Sequence, residues 1–351
     1  MPSIRKPLIP LAPLPLNKLG LSMRDYEGTM STLCAGCGHD SVTAAIVRTF
    51  FELSTPPEKI VKLSGIGCSS KTPAYFVSGA HGFNSAHGRM APIATGANAA
   101  NRDATFIGIS GDGDSLSIGM GHLVHAIRRN VRMIYVIENN GVYGLTKGQF
   151  SASADIGSSA KHGAANQTAP IDPVSLALSL GATFVARSFS GDKEQLIPIL
   201  KAAAAHSGFA LIDVISPCVQ FNNHVGSTKS YRYIREHELK EIEPDFIDQH
   251  SEIAVALGRD RSVRVVMHDG NAVRFRSLPQ NYDPRDREAA MHYVNQAHAR
   301  GEIPTGLFFV DEETRDVHDI NASAAEPLAT LGFDRLCPGS NALAELQDSF
   351  R

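Results

Sequence analysis

The sequence contains no tryptophan, no long apolar run and no strong excess of charge of one sign. No stretch approaches the roughly 18 consecutive apolar residues that a membrane-spanning helix needs. The formal net charge is only −3 over 351 residues, so the basic excess typical of proteins that bind nucleic acids or anionic membranes is missing. We therefore predict a globular protein without a nucleic-acid or membrane partner.

Cysteine is also scarce, and the five cysteines do not form the even set that a disulfide framework requires. The amino terminus does not resemble a signal peptide, because Pro7, Pro10, Pro13 and Pro15 interrupt its apolar stretch and no small-residue cleavage site follows. We therefore expect a cytoplasmic protein whose cysteines are metal ligands, redox groups or inert thiols. We expect residues 1–30 to form an extended arm that lies on this chain or on a partner.

Residues 31–219 alternate between helical and apolar extended segments. Strands are predicted at residues 59–63, 105–109, 131–137, 183–186 and 210–215, and helices at residues 39–53, 91–100, 115–129, 173–180 and 193–206. Apolar strands separated by helices are typical of a mostly parallel α/β sheet with helices on both faces. Ligands then bind at the carboxyl ends of the strands. The pattern loosens over residues 220–351, where we predict a C-terminal extension that packs on this domain or on a neighbouring chain.

Two polar loops follow neighbouring predicted strands. Residues 111–114 read GDGD after the strand at residues 105–109, and residues 139–140 read NN after the strand at residues 131–137. Twenty-five residues separate Gly113 from Asn139, which is enough for one helix and one strand. Both loops are therefore expected at the same edge of the sheet.

This arrangement suits a diphosphate held through magnesium. Mg²⁺ takes about six oxygen ligands and keeps phosphate oxygens among them. Asp112 can supply a carboxylate, Asn140 an amide oxygen and Val142 its backbone carbonyl. Gly111 and Gly113 allow backbone N–H groups to approach the phosphates, beside the positive end of the following helix. Each motif alone could be an ordinary polar turn, but the two at this spacing favour the diphosphate site.

Four cysteines lie in segments that can converge. Cys34 and Cys37 form a C-x-x-C motif before the first helix, Cys68 lies in the turn after the first strand, and Cys218 follows the strand at residues 210–215. Four thiolates fit either tetrahedral zinc or an iron–sulfur cluster, and the spacing does not choose between them. A C-x-x-C loop with inert thiols is the alternative. Cys337 is expected to be a spare buried thiol.

The order of several motifs resembles a known family. Residues 30–235 contain TLCAGCGH, GIGCSSK, HGR, GDGD, NN followed by VYGLTKGQ, and SPCV. The spacing from GDG to NN resembles the thiamine-diphosphate-dependent enzymes, and the full series resembles the beta subunits of 2-oxoacid:ferredoxin oxidoreductases, especially the 2-oxoglutarate type. The resemblance implies a thiamine-diphosphate-binding fold with Mg²⁺ and one 4Fe–4S cluster. It also implies coenzyme A-dependent oxidative decarboxylation of a 2-oxoacid, with electrons passed to ferredoxin.

The resemblance further implies roles for individual residues. The cluster ligands would be Cys34, Cys37, Cys68 and Cys218, and the catalytic residues would be Lys71, His87 and Lys147, with the two lysines facing the 2-oxoacid. The cofactor site would include Ile66, Gly67, Cys68, Ser69, His87, Gly111, Asp112, Gly113, Asp114, Asn140, Val142, Gly144 and Leu145. An alpha subunit, in an α2β2 assembly, would supply the carboxylate that activates thiamine and would help bind coenzyme A. The chain departs from the family where Leu33 and Ala35 replace the tryptophan and proline that often flank the first cysteine.

Two other interpretations stay open. The first is a thiamine-dependent decarboxylase or carboligase without redox chemistry, which would carry a structural zinc and would work without ferredoxin. The second is a non-catalytic binding subunit that keeps a metal site for stability and does not bind thiamine. The identity of the 2-oxoacid and the direction of the reaction are not defined by the sequence.

Overall fold

A computed structural model describes residues 14–158, 165–248, 263–275, 278–280 and 282–351. Its strands are β1 (Ile60–Ser64), β2 (His81–Asn84), β3 (Thr105–Gly111), β4 (Met133–Asn139), β5 (Val142–Tyr143), β6 (Gln149–Phe150), β7 (Phe184–Phe189), β8 (Phe209–Ile215), β9 (Glu238–Ile242), β10 (Pro244–Ile247), β11 (Arg264–Val266), β12 (Ala272–Phe275) and β13 (Ile303–Val310). Its α-helices are α1 (Gly38–Leu53), α2 (Met90–Ala100), α3 (Met120–Arg128), α4 (Pro173–Leu180), α5 (Lys193–Ala205), α6 (Tyr231–His237), α7 (Arg287–Ala299), α8 (Val317–Ile320), α9 (Phe333–Leu336) and α10 (Ser340–Asp348).

Within these ranges, eight strands form one sheet in the order β2-β1-β3-β4-β8-β7-β13-β9. The strands from β2 to β7 pair in parallel, whereas β13 runs antiparallel to β7. Every residue of β1, β4 and β8 is buried, which explains their continuous apolar sequences. Helix α1 packs on α5, while α2, α3 and α4 pack in series. The predicted mostly parallel α/β fold is confirmed.

The C-terminal third contributes to this sheet. Strand β13 joins β7, and β9 pairs in parallel with β13, so residues 220–351 are not only an extension packed on the domain. Strands β10, β12 and β11 form a separate antiparallel sheet that contacts α5. Strand β13 (Ile303–Val310) was not predicted from the sequence.

The two termini differ in how they pack. Residues 1–13 of the predicted arm lie outside the described residues. Tyr26 is buried, and its hydroxyl donates to the Thr55 carbonyl at 2.8 Å, so the described part of the arm lies on this chain. Cys337 was predicted to be buried, but it is exposed in a C-terminal segment where the side chains of α9 and α10 are exposed or half-buried. Among the described residues, no helix is both long and apolar enough to cross a membrane.

Candidate functional site

Three loops meet at the carboxyl edge of the sheet, after β1, β3 and β4. They line a small cavity. Eleven of the thirteen residues predicted for the cofactor site line this cavity, namely Ile66, Gly67, Cys68, Ser69, Gly111, Asp112, Gly113, Asp114, Asn140, Val142 and Gly144. Parallel neighbouring strands end at the same edge, which explains why segments distant in sequence converge here. We call this space the diphosphate cavity.

Hydrogen bonds join the loop after β3 to the loop after β4. The Gly141 N–H donates to Asp112 Oδ2 at 3.1 Å, and the Tyr143 hydroxyl donates to the Gly113 carbonyl at 2.9 Å. A Cβ on Gly113 would lie 2.4 Å from the Tyr143 ring, so this contact requires glycine. The two polar motifs of the sequence therefore form one rigid unit.

Asp112 is buried, and its two carboxylate oxygens differ in their hydrogen bonds. Oδ2 accepts hydrogen bonds from the Gly141 N–H and from the hydroxyls of Ser151 and Ser153. Oδ1 is buried and has no hydrogen-bond partner among the described residues. Burial raises the pKa of Asp112, while the two serine hydroxyls oppose that shift. A buried polar atom without a partner is costly, and a cation would supply the missing contact, so the donor set fits magnesium.

The segment after the GDGD motif is not a regular α-helix at its start. Residues Asp114–Ile118 form one π-helical turn, and α3 begins only at Met120, whereas the sequence predicted one helix over residues 115–129. π-Helical turns occur often at functional sites. Asp114 ties this turn to its surroundings, because its Oδ1 accepts the Gly88 N–H at 2.7 Å and its Oδ2 accepts the Ser110 hydroxyl at 3.0 Å.

The residues that line a second, larger cavity include Cys34, Cys37, Cys68 and Cys218. We call it the thiol cavity. It shares a wall with the diphosphate cavity, because His39, Cys68, Asn140 and Gly144 line both. A Cβ on Gly144 would lie 3.4 Å from the Cys68 sulfur and 3.5 Å from the Cys218 sulfur. The structure thus brings together the four cysteines that the sequence singled out.

The thiols are in a low-polarity environment. Burial raises the pKa of Cys37 to about 12, and neighbouring thiols contribute to the shift. Burial also raises the pKa of Cys68, whereas the charge of Lys71 lowers it. Metal binding would therefore have to displace protons from these thiols. Within the described ranges, no group of three or more His, Cys, Asp or Glu side chains is placed so that it could hold a metal ion.

Of the three predicted catalytic residues, Lys71 lines the thiol cavity. Leu145, predicted for the cofactor site, lines the same cavity. His87 and Lys147 are exposed and line neither cavity. Lys147 has a φ of 79°, a left-handed conformation that is unusual for a lysine.

Two buried residues of the site were missed by the sequence analysis. Glu138 accepts the Thr72 hydroxyl at 3.0 Å, and its Oε2 lies 3.6 Å from His39 Nδ1. Burial raises the pKa of Glu138 well above its usual range and lowers the pKa of His39 to about 4, so burial disfavours the charged form of both side chains. His39 Nδ1 also contacts the Ser216 hydroxyl at 2.7 Å. A glutamate at the end of an apolar strand, directly before the NN motif, was the available signal.

Comparisons with known proteins agree with this geometry. Residues 65–214 match the C-terminal thiamine-pyrophosphate-binding domain of thiamine pyrophosphate enzymes. The chain is 36% identical over 296 residues to the 2-oxoacid:ferredoxin oxidoreductase beta subunit of Saccharolobus solfataricus, covering 82% of this chain and 94% of that protein. It is 45% identical over 194 residues to the 2-oxoglutarate oxidoreductase subunit KorB of Mycobacterium tuberculosis, covering 54% of this chain and 51% of that protein.

A solved structure is similar over nearly the whole chain. It is a 2-oxoglutarate:ferredoxin oxidoreductase from Magnetococcus marinus with 2-oxoglutarate, coenzyme A and succinyl-CoA bound. The TM-score is 0.73 at 28% sequence identity, and the match covers 93% of this chain and 96% of that chain.

The burial of Glu138 predicts a pH-dependent stability difference. The pKa of Glu138 is near 4.5 in the unfolded chain and is raised in the folded chain. The folded chain therefore holds this proton more tightly. As the pH rises from 4.5 through the folded pKa, the free energy of unfolding falls. Glu138→Gln removes this loss. Urea unfolding of the metal-free chain should show the variant gaining stability relative to wild type between pH 5 and pH 8. If the free energy of unfolding differs between variant and wild type by the same amount at pH 5 and at pH 8, the burial argument is contradicted. Glu58→Gln, in an exposed turn, is the control for replacing a carboxylate by an amide.

Proposed function

The chain belongs to the beta subunits of the 2-oxoacid:ferredoxin oxidoreductases, and on this premise we propose that it binds thiamine diphosphate, Mg²⁺ and one 4Fe–4S cluster for oxidative decarboxylation of a 2-oxoacid. The reaction would consume coenzyme A, release CO₂ and acyl-CoA, and pass electrons to ferredoxin. The supporting observation is the wall shared by the two cavities, where Cys68 and Gly144 face both sides. We propose 2-oxoglutarate as the substrate because relatives carry that name.

The diphosphate would be held by the two polar loops. Asp112 Oδ1, the Asn140 amide oxygen and the Val142 carbonyl would bind Mg²⁺, and Gly111 and Gly113 would leave room for the phosphates. Asn140 Oδ1 accepts the Val142 N–H at 3.0 Å, which orients that oxygen and leaves its second lone pair for the metal. The hydrogen bonds on Asp112 Oδ2 fix the carboxylate so that Oδ1 faces the cavity.

The four thiols would hold the cluster. Zinc would also accept four thiolates, but it has no redox chemistry, whereas relatives are named for electron transfer to ferredoxin. Bound thiamine diphosphate would supply the electron sink for decarboxylation and the cluster would take electrons one at a time. Cys68 would contact both groups, which keeps the path between them short.

The chain's own residues would orient the substrate and exclude water. Lys71 lies in the thiol cavity, where its charge suits the carboxylate of a 2-oxoacid. His87 and Lys147 are exposed, and their proposed contacts would require the partner to close the site. Glu138 and His39 would supply a neutral, buried wall. An alpha subunit is expected from the family, and it would provide the carboxylate that activates thiamine.

An anaerobic assay tests the proposed reaction. The chain, co-expressed with its alpha subunit, should oxidise 2-oxoglutarate when coenzyme A and ferredoxin are both present, at a rate at least 10-fold above that with pyruvate. Release of CO₂ without an electron acceptor would instead favour the non-redox decarboxylase with structural zinc. A complex that does not bind thiamine diphosphate would favour a non-catalytic subunit.

Substitution of Asp112 tests the magnesium site. Asp112→Asn removes the charge of the proposed ligand, so Mg²⁺-dependent binding of thiamine diphosphate should weaken by at least 10-fold in calorimetric titration. Ser153→Ala removes a supporting hydroxyl and should weaken binding by about 10-fold. Asp103→Asn, an exposed carboxylate before β3, is the matched control. Unchanged binding by Asp112→Asn would exclude Asp112 as a ligand.

Substitution of a cysteine tests the cluster. The complex, purified anaerobically, should contain about four irons per beta chain. Cys218→Ser should lower the iron content and the absorbance of the cluster, because one of four ligands is lost. Cys337→Ser changes an exposed thiol remote from the cavity lining and should keep the wild-type iron content. Stoichiometric zinc in the wild-type protein would contradict the cluster assignment.

A further inference from the structure

One side of the thiol cavity opens at the surface. Cys34 is exposed, whereas Cys37, Cys68 and Cys218 are half-buried. The sulfurs of Cys68 and Cys218 lie near Gly144, at the wall shared with the diphosphate cavity. The thiol set therefore has an inner side that faces the proposed thiamine site and an outer side at the exposed loop Cys34–Gly36.

A surface groove adjoins this outer side. It is lined by residues 223–226, 230–233 and 235–236, which include most of the exposed residues of α6. Tyr231 connects the groove to the cysteine loop, because its hydroxyl donates to the Gly36 carbonyl at 3.1 Å. Tyr231 and Tyr233 contribute ring surface to the groove, and Val225 is 87% exposed beside them. The groove thus offers apolar area next to the outer side of the thiol set.

Two arginines and one glutamate line the groove. Arg232 has 76% of its side chain exposed, and Arg235 is exposed with its guanidinium 5.8 Å from the centre of the Tyr231 ring. Among the described residues that line the groove, the acidic one is Glu236, which accepts a hydrogen bond from Arg232 at 2.8 Å. Basic residues at this rim contrast with the formal charge of −3 for the whole chain.

We propose that this groove is the docking surface for a small acidic iron–sulfur protein, the one-electron carrier of the reaction. The inference rests on the proposed function and adds the place where the carrier binds. Oxidation of one 2-oxoacid releases two electrons, so the cluster would pass one electron to each of two oxidised carriers that dock in succession. Apolar area at the centre of an interface excludes water, while a charged rim steers and orients the partner.

Charge reversal at the rim tests the docking surface. In the co-expressed complex, Arg232→Glu combined with Arg235→Glu should raise the KM for an acidic ferredoxin at least 10-fold at low salt. The rate with methyl viologen, a small dye that needs no docking surface, should not fall. The wild-type KM for ferredoxin should rise with ionic strength, whereas that of the double variant should depend on it less. Arg128→Glu combined with Arg129→Glu is the matched control. These two arginines are exposed, and they lie at the carboxyl end of α3, at the opposite edge of the sheet.

The outcomes separate the docking surface from the function itself. An unchanged KM for ferredoxin in the double variant, with the dye rate intact, would overturn the docking surface and leave the function standing. Failure of the wild-type complex to reduce either acceptor would overturn the function. If the double variant loses iron, the milder pair Arg232→Gln and Arg235→Gln replaces it. That pair should raise the KM about 3-fold with full iron content, and an unchanged KM would equally overturn the proposal.

Discussion

The hydrogen bond from the Gly141 N–H to Asp112 Oδ2 is the contact on which the rest of the site depends. It joins the loops after β3 and β4, which are neighbours in a parallel sheet and therefore end at the same edge. The bond occupies one oxygen of the carboxylate and leaves the other facing the cavity without a partner in the described chain. The position of Asn140, directly before Gly141, follows from the same constraint.

The thiol cavity is also built at the carboxyl edge of the sheet. Cys68 lies in the turn after β1, and Gly144 follows the NN loop, so the elements that build the diphosphate cavity also build one wall of the thiol cavity. Gly144 has no side chain to hold the sulfurs of Cys68 and Cys218 away. The two cavities therefore meet at residues of a few short segments. The exposed hydrophobic residue Leu145 and the exposed Lys147 lie on the side where a partner subunit would close the site.

The sequence predicted the parallel core and the convergence of the two polar loops, because these features follow from local patterns and from strand order. The spacing between Gly113 and Asn139 was sufficient to place both loops at one edge. Strands β9 and β13 were not predicted, since the pairing of β13 with β7 and of β9 with β13 depends on contacts between segments distant in sequence. Glu138 and His39 were missed for a related reason: their burial and their contact with each other depend on the tertiary fold, which the local sequence pattern does not specify. Cys337 was predicted to be buried from residue type alone, but its segment packs little against the core.

The central claim is that the cluster receives electrons directly from the thiamine site across the shared wall. It is tested most directly by low-temperature EPR of the loaded alpha–beta complex, frozen after mixing with 2-oxoacid and coenzyme A while ferredoxin is left out. The account predicts the signal of a singly reduced 4Fe–4S cluster within one turnover. A complex that releases CO₂ while its EPR spectrum stays unchanged would contradict it.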